Sequence, residues 1–161
     1  MEYMNINMKK LKDRLCNDLN AIKNIDVSQI ENIKTPNIVE VRECFILDIK
    51  NNLNTKNINW ERVMKFHRDK TGYEASCNEL RVNDYIQNTD ETTVLLYAFE
   101  MMDGWEKQLK DRFPQHKFIL ILSYDQGYAT LRFHKKREDE SNWLSADLEK
   151  YKQQAILVKE L

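Results

Sequence analysis

A chain of 161 residues, 42% hydrophobic and 32% charged, is long enough to bury roughly two-thirds of the surface its unfolded form exposes. Its net charge of −1 gives no global field towards nucleic acid or an anionic membrane, and no run approaches the roughly 18 apolar residues of a membrane span. With three Gly and two Pro the chain is not linker-rich, so residues 1–161 are read as a single globular domain.

The opening "MEYMNINMKK" lacks the apolar core of a signal peptide. From there Met8, Leu11, Leu15, Leu19 and Ile22 recur at helical spacing and predict an amphipathic helix. "DVSQIENI" follows, with Asp26 or Ser28 as the N-cap of one more helical turn. Residues 36–54 fit two patterns. Thr35 before Pro36 resembles a helix start, yet Val39, Val41, Phe45, Leu47 and Ile49 nearly alternate. The length of the segment and the shared face of Ile38, Val41, Phe45 and Ile49 favour helix.

Another helix is predicted from near Asn59 through "WERVMKFH". In residues 77–88, Ser76 and Glu79 have capping-box spacing with Ala75 and Leu80 as a staple, predicting a helix, while Leu80, Val82 and Ile86 also permit a strand. The clearest helix runs from about Thr92 to Arg112. Its first turns are apolar nearly all round, Pro114 stops it, and Gly104 inside it marks a close approach by another element.

Phe118–Leu122 then read as a central strand. Asp125-Gln126-Gly127 suits a three-residue turn, with Gly127 supplying the left-handed position, that pairs Tyr124 with Tyr128. That register puts Tyr128, Thr130, Arg132 and His134 on the face of Phe118, Leu120 and Leu122. "QAILVKE" closes the chain as a further strand. The expected class is α+β, with N-terminal helices packed on a small, mainly antiparallel C-terminal sheet.

Motifs that would name a reaction are mostly absent from the sequence. His67, His116 and His134 are far apart with no zinc-ligand spacing, so no metal is expected. Three glycines make no phosphate cradle, and no cofactor motif is present. Cys16, Cys44 and Cys77, odd in number and without CxxC spacing, fit free thiols in a reducing compartment, hence the cytoplasm. Cys77 reads as a structural residue at a helix start.

Three sets of residues remain. Arg132 and His134, with Tyr128, share a strand face and resemble an oxyanion holder beside a proton carrier, as a metal-independent hydrolase or ribonuclease would need. They equally suit a polar edge or a partner surface. "KFHRDK" and "HKKR" are basic but match no nucleic-acid signature. Between Arg81 and Lys107 there is no basic residue, while Asp84, Asp90, Glu91, Glu100, Asp103 and Glu106 fall there. Asp90 and Glu91 suit a helix N-terminus. Asp84, Asp90, Glu91, Asp103 and Glu106 together form a candidate partner-facing acidic surface.

The last third of the chain, "FPQHKFILILSYDQGYATLRFHKKREDESNWLSADLEKYKQQAILVKEL", has a hairpin, an RFH strand, a Trp-Leu turn and a closing strand. In this it resembles small bacterial immunity proteins of contact-dependent growth inhibition and other polymorphic toxin systems. The resemblance implies a cytoplasmic antitoxin without cofactor or catalytic residues. Such a protein binds one cognate toxin domain, here expected to be a nuclease, and covers its active site. It assigns no residue a role.

Overall fold

Strand pairing joins the two ends of the chain. In a computed structural model that describes residues 1–17, 25–87 and 90–161, β1 (Glu2–Met4) lies antiparallel to β7 (Ala155–Glu160), with Tyr3 opposite Val158. Between them in sequence come α1 (Ile6–Cys16), α2 (Glu31–Lys34), β2 (Asn37–Val41), β3 (Cys44–Asp48), α3 (Trp60–His67), α4 (Lys70–Cys77), β4 (Leu80–Arg81), α5 (Glu91–Arg112), β5 (Phe118–Asp125) and β6 (Tyr128–Lys135). The main sheet is antiparallel in the order β1-β7-β5-β6-β4, and β2–β3 form a separate hairpin. The fold is α+β, as expected.

Side-chain caps set most helix starts. Asn5, Asn59, Asp69 and Asp90 accept from backbone N–H groups of α1, α3, α4 and α5, satisfying donors that a helix leaves open. Asp26 does the same for a 3₁₀ turn at Val27–Ile30. Met8, Leu11 and Leu15 form the buried stripe of α1, while Leu19 and Ile22 lie outside the described residues.

The long helix α5 buries Val94, Leu95, Ala98, Met101, Met102, Trp105 and Leu109 against the main sheet and α2, each large side chain contributing roughly 1.5–3 kcal/mol. Trp105 donates its indole N–H to the Ile33 carbonyl at 2.7 Å. At Gly104 a Cβ would stand 2.5 Å from the Lys34 carbonyl oxygen, so the expected close approach is the contact with α2.

Three expectations are corrected. Residues 36–54 are not helical; they form the β2–β3 hairpin, with Ile38 paired to Leu47. Its turn is made by Arg42 and Glu43, at φ 48° and 61°. Those are the two left-handed positions of a turn that Asn-Gly usually occupies, so the composition hid it. The helix expected to open at residue 77 is not there: α4 starts earlier, capped by Asp69, so Ser76 and Cys77 end a helix instead of opening one, and residues 78–87 contain no α-helix. β4 and a 3₁₀ turn at Val82–Tyr85 follow.

The third correction is register. Asp125 pairs with Tyr128 and Tyr124 with Ala129, so the turn has two residues, Gln126 and Gly127, at φ 47° and 91°. A slip of one residue exchanges the faces. Leu131 and Phe133 therefore share the α5-facing core with Leu120 and Leu122. On the opposite face Ile119 and Ile121 meet Ile156, Val158 and Leu148 under Leu144 and Tyr151. Among the described residues no helix is long and apolar enough to cross a membrane.

Candidate functional site

The corrected register decides where the three polar residues of β6 go. His134 sits opposite Ile119 and is fully buried. The Trp143 backbone N–H donates to its Nε2 at 3.3 Å, which places the ring proton on Nδ1, 3.0 Å from the Lys135 carbonyl. Burial pushes its pKa below 6.5, outweighing the Lys135 carbonyl and Glu74, which pull the other way. A neutral imidazole with both nitrogens engaged anchors the loop after β6.

Arg132 and Tyr128 stay at the surface and lie in one depression of about 330 Å³ with Glu79, Arg81, Ser123, Asp125, Gln126, Thr130 and Gln154. Tyr128 is 53% exposed and carries the Arg81 guanidinium 5.0 Å above its ring. Arg132 pairs with Glu79 and lies 5.3 Å over the ring of Trp143, itself 43% exposed. Two aromatic rings and two arginines thus share one side of the sheet. Sequence reading missed Arg81 and Trp143, because their partners are distant in sequence and only the fold brings them together.

The acidic stretch is divided among several neighbours. Glu91 pairs with Arg14 of α1 at 2.8 Å and Glu100 with Lys34 at 2.8 Å. Asp103 and Glu106 share Lys159 of β7 at 2.6 and 2.7 Å, and Glu106 also meets Lys110. Asp84 lies on the 3₁₀ turn after β4, and Asp90 caps α5. Asp103 and Glu106 are brought together by a common partner, Lys159, so much of the charge expected to face outward is offset within the chain.

A second charged region was invisible in the sequence. Glu74 of α4 is fully buried and accepts four hydrogen bonds: from the N–H groups of Phe45 and Lys135 and from both Nη atoms of Arg137. Arg137 reaches the Glu43 carbonyl at 2.8 Å as well. Its burial would lower the Arg137 pKa, but Glu74 and Glu140 hold it above the ordinary guanidinium value. Glu140 accepts from the Lys70 and Thr71 N–H groups at the start of α4. Every group in this knot has a partner within the chain, which is the pattern of a structural anchor.

Neither thiol near it is prepared for chemistry. Cys44 is buried, and burial together with the charge of Glu74 pushes its pKa up to about 12. Cys77 ends α4 and is unpaired, as are Cys16 and Cys44. Among the described residues no group of three or more His, Cys, Asp or Glu is placed to hold a metal ion.

These features define an α+β protein with a buried Glu–Arg anchor and, on one side of its sheet, an exposed aromatic–arginine surface. The chain belongs to the uncharacterized protein PM0498 family, whose model matches residues 3–161. It is 32% identical over 97 residues to the uncharacterized protein PM0498 of Pasteurella multocida (strain Pm70), a match covering 58% of this chain and 58% of that protein's length. No solved structure matches it.

Proposed function

We propose that this chain is a cytoplasmic inhibitor that binds a cognate toxin domain, such as a nuclease, and neutralises it by covering the active site. The observation that carries this reading is the pair of exposed rings, Tyr128 and Trp143, each stacked with an arginine on one side of the sheet. Tyr, Trp and Arg are the residues that dominate protein interfaces energetically, and stacking pre-orders their long side chains. The resemblance of the last third of the chain to immunity proteins supports the toxin as partner. Three free cysteines suit a reducing compartment.

The alternative, a small hydrolase or ribonuclease using His134 and Arg132, needs a histidine that reaches substrate, and this ring is buried with both nitrogens occupied. Co-expression with the product of the adjacent gene distinguishes the two. A one-to-one complex that weakens with Tyr128→Ala or Trp143→Ala supports inhibition. RNA turnover by the isolated protein, lost with His134→Ala, would refute it.

A further inference from the structure

The outer side of α3 shows an apolar ring among unpaired cations. Phe66 is 80% exposed and Met64 40%, although every other phenylalanine is buried or half-buried. Helical spacing sets Arg62 one turn before Phe66 on the same face, while Lys65 projects about 100° further round the helix. The adjoining side of the helix is occupied, since Trp60 and Val63 pack on Cys44, Ile46 and Tyr73. Arg62, Lys65 and Arg68 make no ion pair among the described residues, whereas the carboxylates of Glu91, Glu100, Asp103 and Glu106 all do.

The corner that presents Phe66 is built tightly. Arg68 adopts φ 68° and ψ −41°, and Asp69 donates its N–H to the His67 carbonyl at 2.8 Å, closing a γ-turn of the strained hand. Gly72 makes room for it: a Cβ there would stand 2.7 Å from the His67 carbonyl oxygen. Trp60 meets Tyr73 edge-on at 5.7 Å, fixing α3 against α4. Strain in a non-glycine residue beside an exposed aromatic is a feature found at binding sites, where geometry is held in advance of the ligand.

We propose that this elbow is a docking site for an acidic segment of a partner protein. Phe66 enters an apolar notch, and Arg62, Lys65 and Arg68 receive the partner's carboxylates. A protein fits better than other anions. A membrane-surface helix turns its whole apolar side outward, and that of α3 is committed to the Cys44 cluster. A nucleic-acid surface needs a broader positive field than this chain, at net charge −1 and with Glu61 and Asp69 alongside, provides. An aromatic anchor rimmed by arginine is a protein hot-spot arrangement. The inference stands apart from the Tyr128–Trp143 surface and does not require it.

The test pans a phage-displayed library of random peptides over the immobilised full-length chain. Enriched peptides should carry Asp or Glu flanking an apolar residue and bind more weakly as salt rises. Phe66→Ser and the double variant Arg62→Glu with Lys65→Glu should each lower their affinity by about thirtyfold, with melting temperatures near wild type. The inference is overturned if no acidic peptides are enriched, or if these variants bind them unchanged. It is equally overturned if Tyr128→Ala abolishes binding while Phe66→Ser does not. Phe66-dependent binding of phosphatidylserine vesicles or poly(U) RNA without peptide enrichment would instead make the site one for lipid or nucleic acid.

Discussion

Glu74 in α4 and Asn78, its C-cap, stand one turn apart and together hydrogen-bond the outer edges of strands in both sheets. Glu74 accepts from Phe45 N–H of β3 at 2.7 Å and Lys135 N–H of β6 at 2.8 Å. Asn78 accepts from Leu47 N–H at 2.7 Å and donates to the carbonyls of Phe45 and Phe133 at 2.7 and 3.1 Å. Two side chains at i and i+4 thus take the place of a strand between the hairpin and the main sheet, leaving neither edge open for wrong pairing.

Because Glu74 also neutralises the buried Arg137, Glu74→Gln should be among the most damaging single changes. It leaves a desolvated guanidinium without its counter-charge and turns an acceptor into a donor facing backbone N–H groups. The expected loss is about 3–5 kcal/mol, read as a lower urea midpoint. Adding Arg137→Met should recover part of that loss, since the uncompensated charge is gone. A double variant as unstable as the sum of its singles would mean that the pair is not coupled.

His134 should make the fold acid-sensitive. Its folded-state pKa is depressed below 6.5 by burial. The unfolded chain therefore binds a proton that the folded chain refuses once pH falls under about 6.5. The stabilisation from keeping His134 neutral is complete above that pH and is lost as pH falls towards the folded pKa, with a slope of up to about 1.4 kcal/mol per pH unit. Urea titrations between pH 7.5 and roughly pH 5 should show this slope. His134→Gln should flatten it, and an unchanged slope in that variant would assign the acid sensitivity to other groups.

The sequence revealed elements wherever one local rule acted alone. The Asn59 and Asp90 caps, the stripe of α1, the length of α5 and the left-handed Gly127 were all legible, because each depends on neighbours within a few residues. The β2–β3 turn was hidden because Arg42 and Glu43 adopt conformations their side chains disfavour, stabilised by contacts far along the chain: Arg42 over Trp60 at 5.2 Å and Glu43 with Lys70 at 2.8 Å. Reading the Asp125–Gly127 turn as three residues shifted the register by one and placed Arg132 with the wrong partners. Glu74 looked like any helical carboxylate, since its significance comes from Arg137, a residue 63 positions away.

Gly104 offers a test in which two effects oppose each other. On a helix surface Gly→Ala stabilises by about 1 kcal/mol through propensity. Here the new methyl would meet the Lys34 carbonyl 2.5 Å away, so α2 must shift. Gly104→Ala should therefore lower the melting temperature, and Gly104→Leu should lower it further. A stabilised alanine variant would show that α2 yields freely.

The acidic stretch separates into residues that hold the fold and residues available to a partner. Lys159 is only 15% exposed and is held by Asp103 and Glu106, so Glu106→Lys would set a new cation against one with little access to water. Its expected cost is about 1–2 kcal/mol. Asp103→Lys, at the more exposed partner, should cost under about 1 kcal/mol. A binding defect in either variant would then be mixed with instability. Asp84→Lys and Asp90→Asn avoid this: Asp84 makes no ion pair among the described residues, and Asn caps a helix about as well as Asp. If carboxylates steer a basic partner, these two changes should slow its association at low salt and leave dissociation and melting temperature nearly unchanged. Stopped-flow association across a salt series, with the partner isolated by co-expression, measures this directly. Equal association rates for wild type and both variants at every salt concentration would exclude Asp84 and Asp90 from steering, and the search for the contact would move to Tyr128, Arg132 and Trp143.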